Sequence, residues 1–191
     1  ENKKSLDNTI AHEIGHNWFY GVLGSNERKH PWMDEGMNSF YDDKYKEIKY
    51  GKQADIVRLA FETKAATKTD QPIETSSEKF SEANYGLVAY YKAAEWMRYL
   101  EKVLGTETFD KAMQEYYNRW QFKHPQPEDL KKTIEEISGK NLDSVFAYLT
   151  KTGTLPTQQR TETTTTSIFS FKTLNEYAKK PTKNLILVGP A

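Results

Sequence analysis

Apolar residues recur every three or four positions along most of the first 150 residues, a spacing that is typical of amphipathic α-helices. Glycines and prolines interrupt this pattern and mark where each helix should end. The chain is therefore predicted to be mainly α. Ser5 or Asp7 is predicted to cap the first helix, which ends near residue 21 or 24. The other predicted helices run over 34–50, 53–68, 85–104, 106–122 and 127–139, and from residue 141 or 143 to 151. Residues 69–84 are polar and are predicted to be irregular.

The first predicted helix carries two neighbouring stripes of side chains. Ile10, Ile14 and Trp18 follow one another at intervals of four residues, so they are predicted to enter the core. His12 and His16 begin the second stripe, which lies beside the first. The helix is thus predicted to bury one stripe and to present the two histidines on another.

The pattern changes after about residue 155. Residues 161–166 are β-branched and of low complexity, and residues 168–171 and 185–188 are predicted to be short strands. We therefore divide the chain into a helical unit over residues 1–155 and a Thr-rich linker with a C-terminal extension over residues 156–191. No motif identifies a role for the second part.

Composition and charge restrict the class of function. The 27 lysines and arginines equal the 27 aspartates and glutamates, so zero net charge gives no electrostatic case for binding nucleic acid or an anionic membrane. No transmembrane segment is predicted, because apolar runs such as residues 185–188 are far too short to span a bilayer. The absence of cysteine excludes disulfides and thiolate metal ligands.

The strongest chemical signal is His12-Glu13-x-x-His16, followed after eighteen intervening residues by Glu35. Two histidines four apart on a helix project to the same side, with Cβ atoms about 5–6 Å apart, which is a span that one small cation can bridge. Zinc accepts imidazole nitrogen and carboxylate oxygen at about 2.0–2.2 Å. His12, His16 and Glu35 are therefore predicted to hold one Zn²⁺, with water in the fourth position.

Glu13 has a different predicted role. It lies about 100° around the helix from His12, which makes it a poor ligand but allows it to reach a water on the metal. This arrangement is typical of metal-assisted hydrolysis with Glu13 as general base. A bare histidine pair is a weak signal, whereas Glu13 together with Trp32-x-x-Glu35-Gly36 makes it strong. The alternative is a set of ordinary helix residues with their carboxylates on a solvated face.

Four other polar residues carry weaker expectations. His30 and His124 each precede a proline in a predicted loop and are interpreted as ordinary surface or capping histidines. Asn38 and Ser39 follow Glu35 by about one helical turn. Two interpretations stay open for them: a hydrogen bond to a metal ligand, or a plain helix position.

Several stretches resemble the aminopeptidase N and leukotriene hydrolase family, a branch of the gluzincin metallopeptidases. Residues 9–19 resemble the zinc helix of that family, and residues 32–41 are similar to its third-ligand helix. Residues 89–105 resemble the segment that holds its catalytic tyrosine, and this match makes Tyr90 the catalytic residue. Residues 124–130 resemble a later landmark of the family.

The resemblance implies the helical lobe of a thermolysin-like zinc peptidase catalytic domain, which removes single residues from the N-termini of a peptide substrate. Glu13 would take the proton of the attacking water and deliver it to the leaving amine, while the Tyr90 hydroxyl would stabilise the oxyanion. Tyr85, five residues before Tyr90, either helps to polarise the oxyanion or serves only for packing. Ala93 stands where the family usually has glycine, which is a minor departure.

A larger departure concerns recognition of the substrate. The family's Gly-x-Met-Glu-Asn motif, which binds the free amine of the substrate, does not occur in this chain. Only eleven residues precede His12, too few for the β-rich lobe that precedes the zinc helix in the family. We therefore expect a catalytic piece that lacks the preceding β-rich lobe, exposes an apolar face and requires that N-terminal lobe of the same protein as a partner.

Four functions stay open at this point. The first is a zinc aminopeptidase, and the second is a thermolysin-like endopeptidase that uses the same ligands without recognising an amine. The third is an epoxide hydrolase activity, as in one branch of the family, which no residue here supports specifically. The fourth is a zinc-binding module that is inactive as an isolated fragment. The sequence upstream of Glu1 would separate the first two functions.

Overall fold

α-Helices packed around one core make up the architecture. The computed structural model describes residues 2–52 and 56–156. Within those residues the single pairing of β type is a parallel bridge between Leu23 and Lys123, so the prediction of a mainly α fold is confirmed. The α-helices are α1 (Asn2–His16), α2 (Met37–Tyr50), α3 (Ile56–Ala66), α4 (Glu82–Asn84), α5 (Ala93–Leu104), α6 (Thr106–Trp120), α7 (Pro127–Ser138) and α8 (Asp143–Phe146).

Three stretches have the wider hydrogen-bond pattern of a π-helix. They are π1 (Asn17–Val22), π2 (Trp32–Gly36) and π3 (Tyr85–Lys92). π1 follows α1 directly, π2 leads into α2, and π3 leads into α5. The long helices predicted over 34–50 and 85–104 are therefore confirmed, each in two parts. π-Helical turns are rare and frequently lie at functional sites, which directs attention to these three stretches.

The start of α1 differs from the prediction. Asp7 does not cap the helix, because α1 already begins at Asn2. Its carboxylate instead accepts hydrogen bonds from the Lys49 ammonium at 2.7 Å and from the hydroxyls of Tyr45 and Tyr50 at 3.0 and 2.7 Å. The partners of Asp7 lie on α2, 38 to 43 residues further along the chain, so the local pattern of residues near α1 did not reveal them.

The predicted ends of the later helices agree closely with the structure. Pro127 is the first residue of α7, Gln126 and Asp129 form a capping box, and Gly139 follows the helix with a φ of 66°. α6 ends at Trp120, two residues before the predicted end. The last predicted helix is observed as α8 followed by a short 3₁₀-helix, Ala147–Thr150.

The predicted irregular segment 69–84 contains only two short helical turns, Ser77–Lys79 and α4. The last 35 residues, 157–191, and with them the two predicted strands, lie outside the described residues. In the part of the chain that is described, no helix is long and apolar enough to span a membrane.

The centre of the core lies where π2, α2 and α5 meet α6. Trp32 and Trp96 have no exposed surface and pack edge to face, with ring centroids 5.3 Å apart. Phe40 and Phe109 are equally buried and lie 5.5 Å apart in the same type of contact. Such aromatic pairs stabilise a fold beyond the area they bury. This aromatic centre supports π2, and π2 carries one of the predicted metal ligands.

The prediction for the apolar stripe of α1 is wrong for two of its three residues. Ile10 and Ile14 are 49% and 47% exposed, and only Trp18 packs against the core. The helix packs on α2 through the side that carries Gly15, which is buried. Ile10 and Ile14, with Leu6 one turn earlier, therefore form an exposed apolar stripe on another side of α1.

Candidate metal centre

The two histidines of α1 point to one spot beside α2. Their rings lie edge to face with centroids 4.7 Å apart, and the Nε2 atoms of His12 and His16 are separated by 3.1 Å. This follows from the spacing of four residues, which places both imidazoles on the same side of the helix. The Nδ1 atoms point away from each other, toward two different carboxylates.

Glu35 on π2 brings a carboxylate to the same spot. Its Oε2 atom lies 3.3 Å from His12 Nε2 and 3.5 Å from His16 Nε2. Ligand atoms bound to one tetrahedral ion at about 2.0–2.1 Å are themselves about 3.3–3.4 Å apart. The three separations, 3.1, 3.3 and 3.5 Å, therefore have the size that a tetrahedral zinc ion requires. In the described residues this trio is the one cluster of histidine and carboxylate groups close enough to share a metal.

Each histidine is oriented by a second carboxylate that the sequence did not single out. His12 Nδ1 lies 2.6 Å from Asp42 Oδ2, and His16 Nδ1 lies 2.7 Å from Asp34 Oδ1. A carboxylate at Nδ1 holds the proton there and leaves Nε2 free to bind a metal. Asp42 follows Glu35 by seven residues, which is two helical turns on the same face. That spacing is the signal by which the sequence would have revealed it.

These carboxylates change the protonation of the site. The hydrogen bond with Asp42, and then that with Glu35, raises the pKa of His12 to about 10. Burial raises the pKa of Asp34 to about 6. Burial also acts on Glu35, but hydrogen bonds from His12 and Tyr90 hold its pKa below the usual value. Because a protonated and a metal-bound imidazole are alternative states, binding of a cation at His12 must release a proton.

Close contact between α1 and α2 lies behind the candidate ligands. A Cβ atom at Gly15 would lie 1.8 Å from Asn38 Oδ1, so only glycine allows this approach. The Asn38 amide donates a 2.8 Å hydrogen bond to the backbone carbonyl of His12. Of the two interpretations left open for Asn38, the structure thus supports a contact with a predicted metal ligand, made through the backbone.

Tyr90 on π3 reaches the same centre. Its ring stacks near that of His12 at a centroid distance of 5.8 Å, and its hydroxyl lies close enough to the Glu35 carboxylate for the two groups to shift each other's pKa. Burial, followed by the contact with Glu35, raises the pKa of the Tyr90 hydroxyl, so it stays protonated and can donate. Tyr85 packs edge to face against Tyr90 at 5.7 Å, which supports a packing role for Tyr85.

Glu13 lies on α1 between the two histidines and is exposed to solvent. It is not part of the trio of close ligand atoms. The structure thus gathers His12, His16 and Glu35, places Tyr90 against His12, and leaves Glu13 exposed.

The two remaining histidines lie elsewhere. His124 is exposed, and its ring nitrogen lies 2.9 Å from the carbonyl oxygen of Gly24, as expected for an ordinary loop histidine. His30 is half-buried and forms a hydrogen bond with Glu74. Neither belongs to the trio of candidate ligands.

A cavity of about 410 Å³ opens beside Glu35. Cavities that bind small ligands are commonly about 300–1,000 Å³ in volume, so this one can hold a short part of a peptide. Besides Glu35, its lining residues are Glu27, Arg28, Pro31, Asp34, Ser77, Glu78 and Tyr85.

Known proteins share sequence similarity with this chain. The chain is 29% identical over 157 residues to aminopeptidase M1-B of Oryza sativa, covering 78% of this chain and 18% of that protein. It is 30% identical over 164 residues to the tricorn protease-interacting factor F2 of Thermoplasma acidophilum, covering 78% and 20%. The chain thus spans about a fifth of the length of these relatives.

Solved structures share the fold. An aminopeptidase A from Legionella pneumophila, in complex with aspartic acid, superposes with a TM-score of 0.62 at 22% identity, covering 76% of this chain and 17% of that one. An M1 zinc metallopeptidase from Deinococcus radiodurans superposes with a TM-score of 0.63 at 16% identity, covering 78% of this chain and 34% of that one. The model of the peptidase family M1 domain matches residues 1–148. Because this match covers most of the chain, the chain belongs to peptidase family M1.

Proposed function

We propose that the protein is a zinc-dependent aminopeptidase that releases N-terminal residues from peptides. The observation that carries the proposal is the trio His12, His16 and Glu35, whose ligand atoms lie 3.1–3.5 Å apart. The carboxylates behind the histidines add support, because a donor set of two imidazoles and one carboxylate is that of catalytic zinc sites with an open fourth position.

In this proposal the trio holds the metal and the surrounding groups keep the trio in place. When bound, zinc would polarise the scissile carbonyl and make a water more acidic. Asp42 and Asp34 keep the two imidazoles in the tautomer that presents Nε2. The Asn38 contact with the His12 carbonyl holds α1 against α2, so the ligands need little rearrangement before binding.

Glu13 is proposed as the general base. It is exposed beside the trio, so a water molecule and a peptide can reach it from solvent. A carboxylate in this position accepts a proton from the attacking water and returns it to the amine that leaves, which keeps the proton count balanced over one turnover. Such general acid–base assistance contributes about 10²–10⁴ in rate.

Tyr90 is proposed to stabilise the oxyanion. Its ring lies beside that of His12, and its hydroxyl remains protonated because burial, followed by the nearby Glu35 carboxylate, raises its pKa. As the carbonyl oxygen gains charge, the same hydroxyl can donate to that oxygen. One such donor is commonly worth about 10²–10³ in rate.

The choice of an aminopeptidase over an endopeptidase is supported by similarity to aminopeptidases of rice and of Legionella.

The decisive experiment compares peptides with a free and an acetylated N-terminus, using protein expressed from the full-length gene and loaded with zinc. Cleavage of only the free peptides, one residue at a time, supports the proposal. Internal cleavage of acetylated peptides would identify an endopeptidase instead. Zinc binding without cleavage of either would identify a non-catalytic module.

A further inference from the structure

Glu74 forms a clamp at the start of π2. Its carboxylate accepts one hydrogen bond from the indole N–H of Trp32 and pairs through its other oxygen with the imidazole of His30. Both partners lie just before Glu35 in the sequence, whereas Glu74 comes from the irregular segment 69–84, 42 residues beyond Trp32. The clamp therefore joins a distant loop to the turn that carries the third candidate ligand.

The position of Trp32 makes this contact important for Glu35. Trp32 is the first residue of π2, a turn of only five residues, and no side chain caps the turn at Pro31. The hydrogen bond from the indole to Glu74 is therefore a side-chain contact that fixes the first residue of the turn. The Trp32 ring is fully buried against Trp96, so a shift of the indole would be transmitted to Glu35, three residues later.

The loop that carries Glu74 is itself firmly held. Ile73 is fully buried, and the Glu74 amide donates a 2.8 Å hydrogen bond to the Leu149 carbonyl. Asp70 pairs with the ammonium of Lys92 at 2.9 Å, and both side chains are almost completely buried. Because hydrogen bonds to charged groups are stronger than neutral ones, this pair makes the loop a rigid support.

We propose that Glu74 is a positioning residue for the metal ligand Glu35. Its carboxylate holds the indole of Trp32, the indole sets the orientation of π2, and π2 places the Glu35 oxygen at tetrahedral distance from the two histidines. This inference rests on the proposed function, since it requires that the trio binds zinc. It extends that function from the ligands and their direct partners to a residue that touches neither metal nor ligand.

The test measures the zinc affinity of the 191-residue chain by competition with a chromophoric chelator, and the stability of the metal-free chain by urea unfolding. Glu74→Ala removes the clamp. Trp32→Phe keeps an aromatic ring in the core but removes the N–H, so it tests the same bond from the other side. Glu74→Gln is the conservative variant, because its amide can still accept from Trp32 and donate to the other tautomer of His30.

Trp96→Phe is the matched control. The Trp96 ring is as buried as that of Trp32, and its N–H donates a 3.0 Å hydrogen bond to the Val145 carbonyl, away from the candidate ligands. Both Trp→Phe variants lose one ring and one hydrogen bond in the same core. Trp96 packs against Trp32 but bonds to Val145 and not to Glu74, so a difference in zinc affinity between the two variants reports on the Glu74 bond and not on ring packing or a general loss of stability.

We expect Glu74→Ala and Trp32→Phe each to weaken zinc binding about tenfold, at the lower end of the effects seen for outer-shell groups. Glu74→Gln should restore most of the affinity, and Trp96→Phe should change it less than twofold. Unchanged affinity in Trp32→Phe, or an equal loss in Trp96→Phe, overturns this inference alone. Absence of zinc binding by the parent chain overturns the proposed function together with it.

Discussion

Helix α1 has two faces whose surroundings differ sharply. On one face, the His12 and His16 side chains are only 18% and 21% exposed and each hydrogen-bonds to a carboxylate. On nearly the opposite side of the helix, Leu6, Ile10 and Ile14 are 59%, 49% and 47% exposed. The polar face is covered and the apolar face is open, the reverse of an ordinary surface helix.

The difference follows from the partners available to each face. Covering an imidazole is favourable only when its nitrogens are hydrogen-bonded, and α2 and π2 supply the carboxylates that do this. Full burial of an isoleucine would contribute about 1.5–3 kcal/mol, a gain that the described residues do not provide for Ile10 and Ile14. The polar face therefore finds its partners within the described part of the chain, whereas the apolar face is exposed there and available for contact.

The largest expected effect removes a ligand from the polar face. His12→Ala should abolish stoichiometric zinc, because two remaining ligands bind the ion far more weakly than three. Elemental analysis after zinc loading and dialysis provides the measurement. Ile10→Ala, on the same helix but on the apolar face, serves as the control and should keep one zinc per chain. Equal zinc content in the two variants would refute the assignment of His12.

Glu13 lies between the two faces and is expected to matter for turnover alone. Glu13→Gln should lower kcat by about 10²–10⁴ in protein expressed from the full-length gene, because the amide cannot accept a proton. The zinc content should be unchanged, since Glu13 is not a ligand. Loss of the metal would indicate that Glu13 helps to bind it. Near-normal turnover would show that Glu13 is not the general base.

Tyr90 tests whether π3 contributes a catalytic group to the site formed on the polar face of α1. Tyr90→Phe should lower kcat by about 10²–10³, with a much smaller change in KM, because the hydroxyl is proposed to act in the transition state. Zinc content should remain at one per chain. Tyr85→Phe is the matched control, and a kcat loss there as large as that at Tyr90 would move the assignment.

Asp42 tests the polar face in a different way, because its replacement removes the hydrogen-bond partner of His12 but none of the three candidate ligands. Asp42→Asn should reduce zinc affinity about 10–100-fold, because the amide no longer favours the required state of the His12 ring. Chelator competition measures this effect on the 191-residue chain. Asp43→Asn is the control, since Asp43 pairs with Arg98 at 2.9 Å and does not contact the histidines. Equal affinity in the two variants would contradict the role of Asp42.

The smallest effect is expected on the apolar face. Ile10→Gln combined with Ile14→Gln should change the free energy of unfolding by at most about 0.5 kcal/mol per site and leave zinc affinity intact, because both side chains are exposed. Self-association in sedimentation velocity should decrease as the apolar stripe is removed. A loss of several kcal/mol would mean that the stripe is buried in solution.

Much of the fold could be predicted because it depends on neighbours in sequence. The spacing of apolar residues predicted α1 to α3 and α5 to α8, and the spacing of four residues predicted that His12 and His16 share one side of α1. The prediction that Glu35 joins the two histidines also followed from its local motif, and the structure places its carboxylate beside them. The domain division at residue 155 and the two strands beyond it stay predictions, because residues 157–191 lie outside the described structure.

Contacts between distant residues were decided only in the folded chain. Asp7 was predicted as a cap but is held by Tyr45 and Lys49, and the Glu74 clamp joins residues 42 positions apart. The sequence by itself determined which side chains share a face of a helix, because the helical repeat is a local property. Tertiary structure alone decided which face is covered and which carboxylate orients which histidine. The physical reason is that both depend on how separate helices pack, which no local spacing specifies.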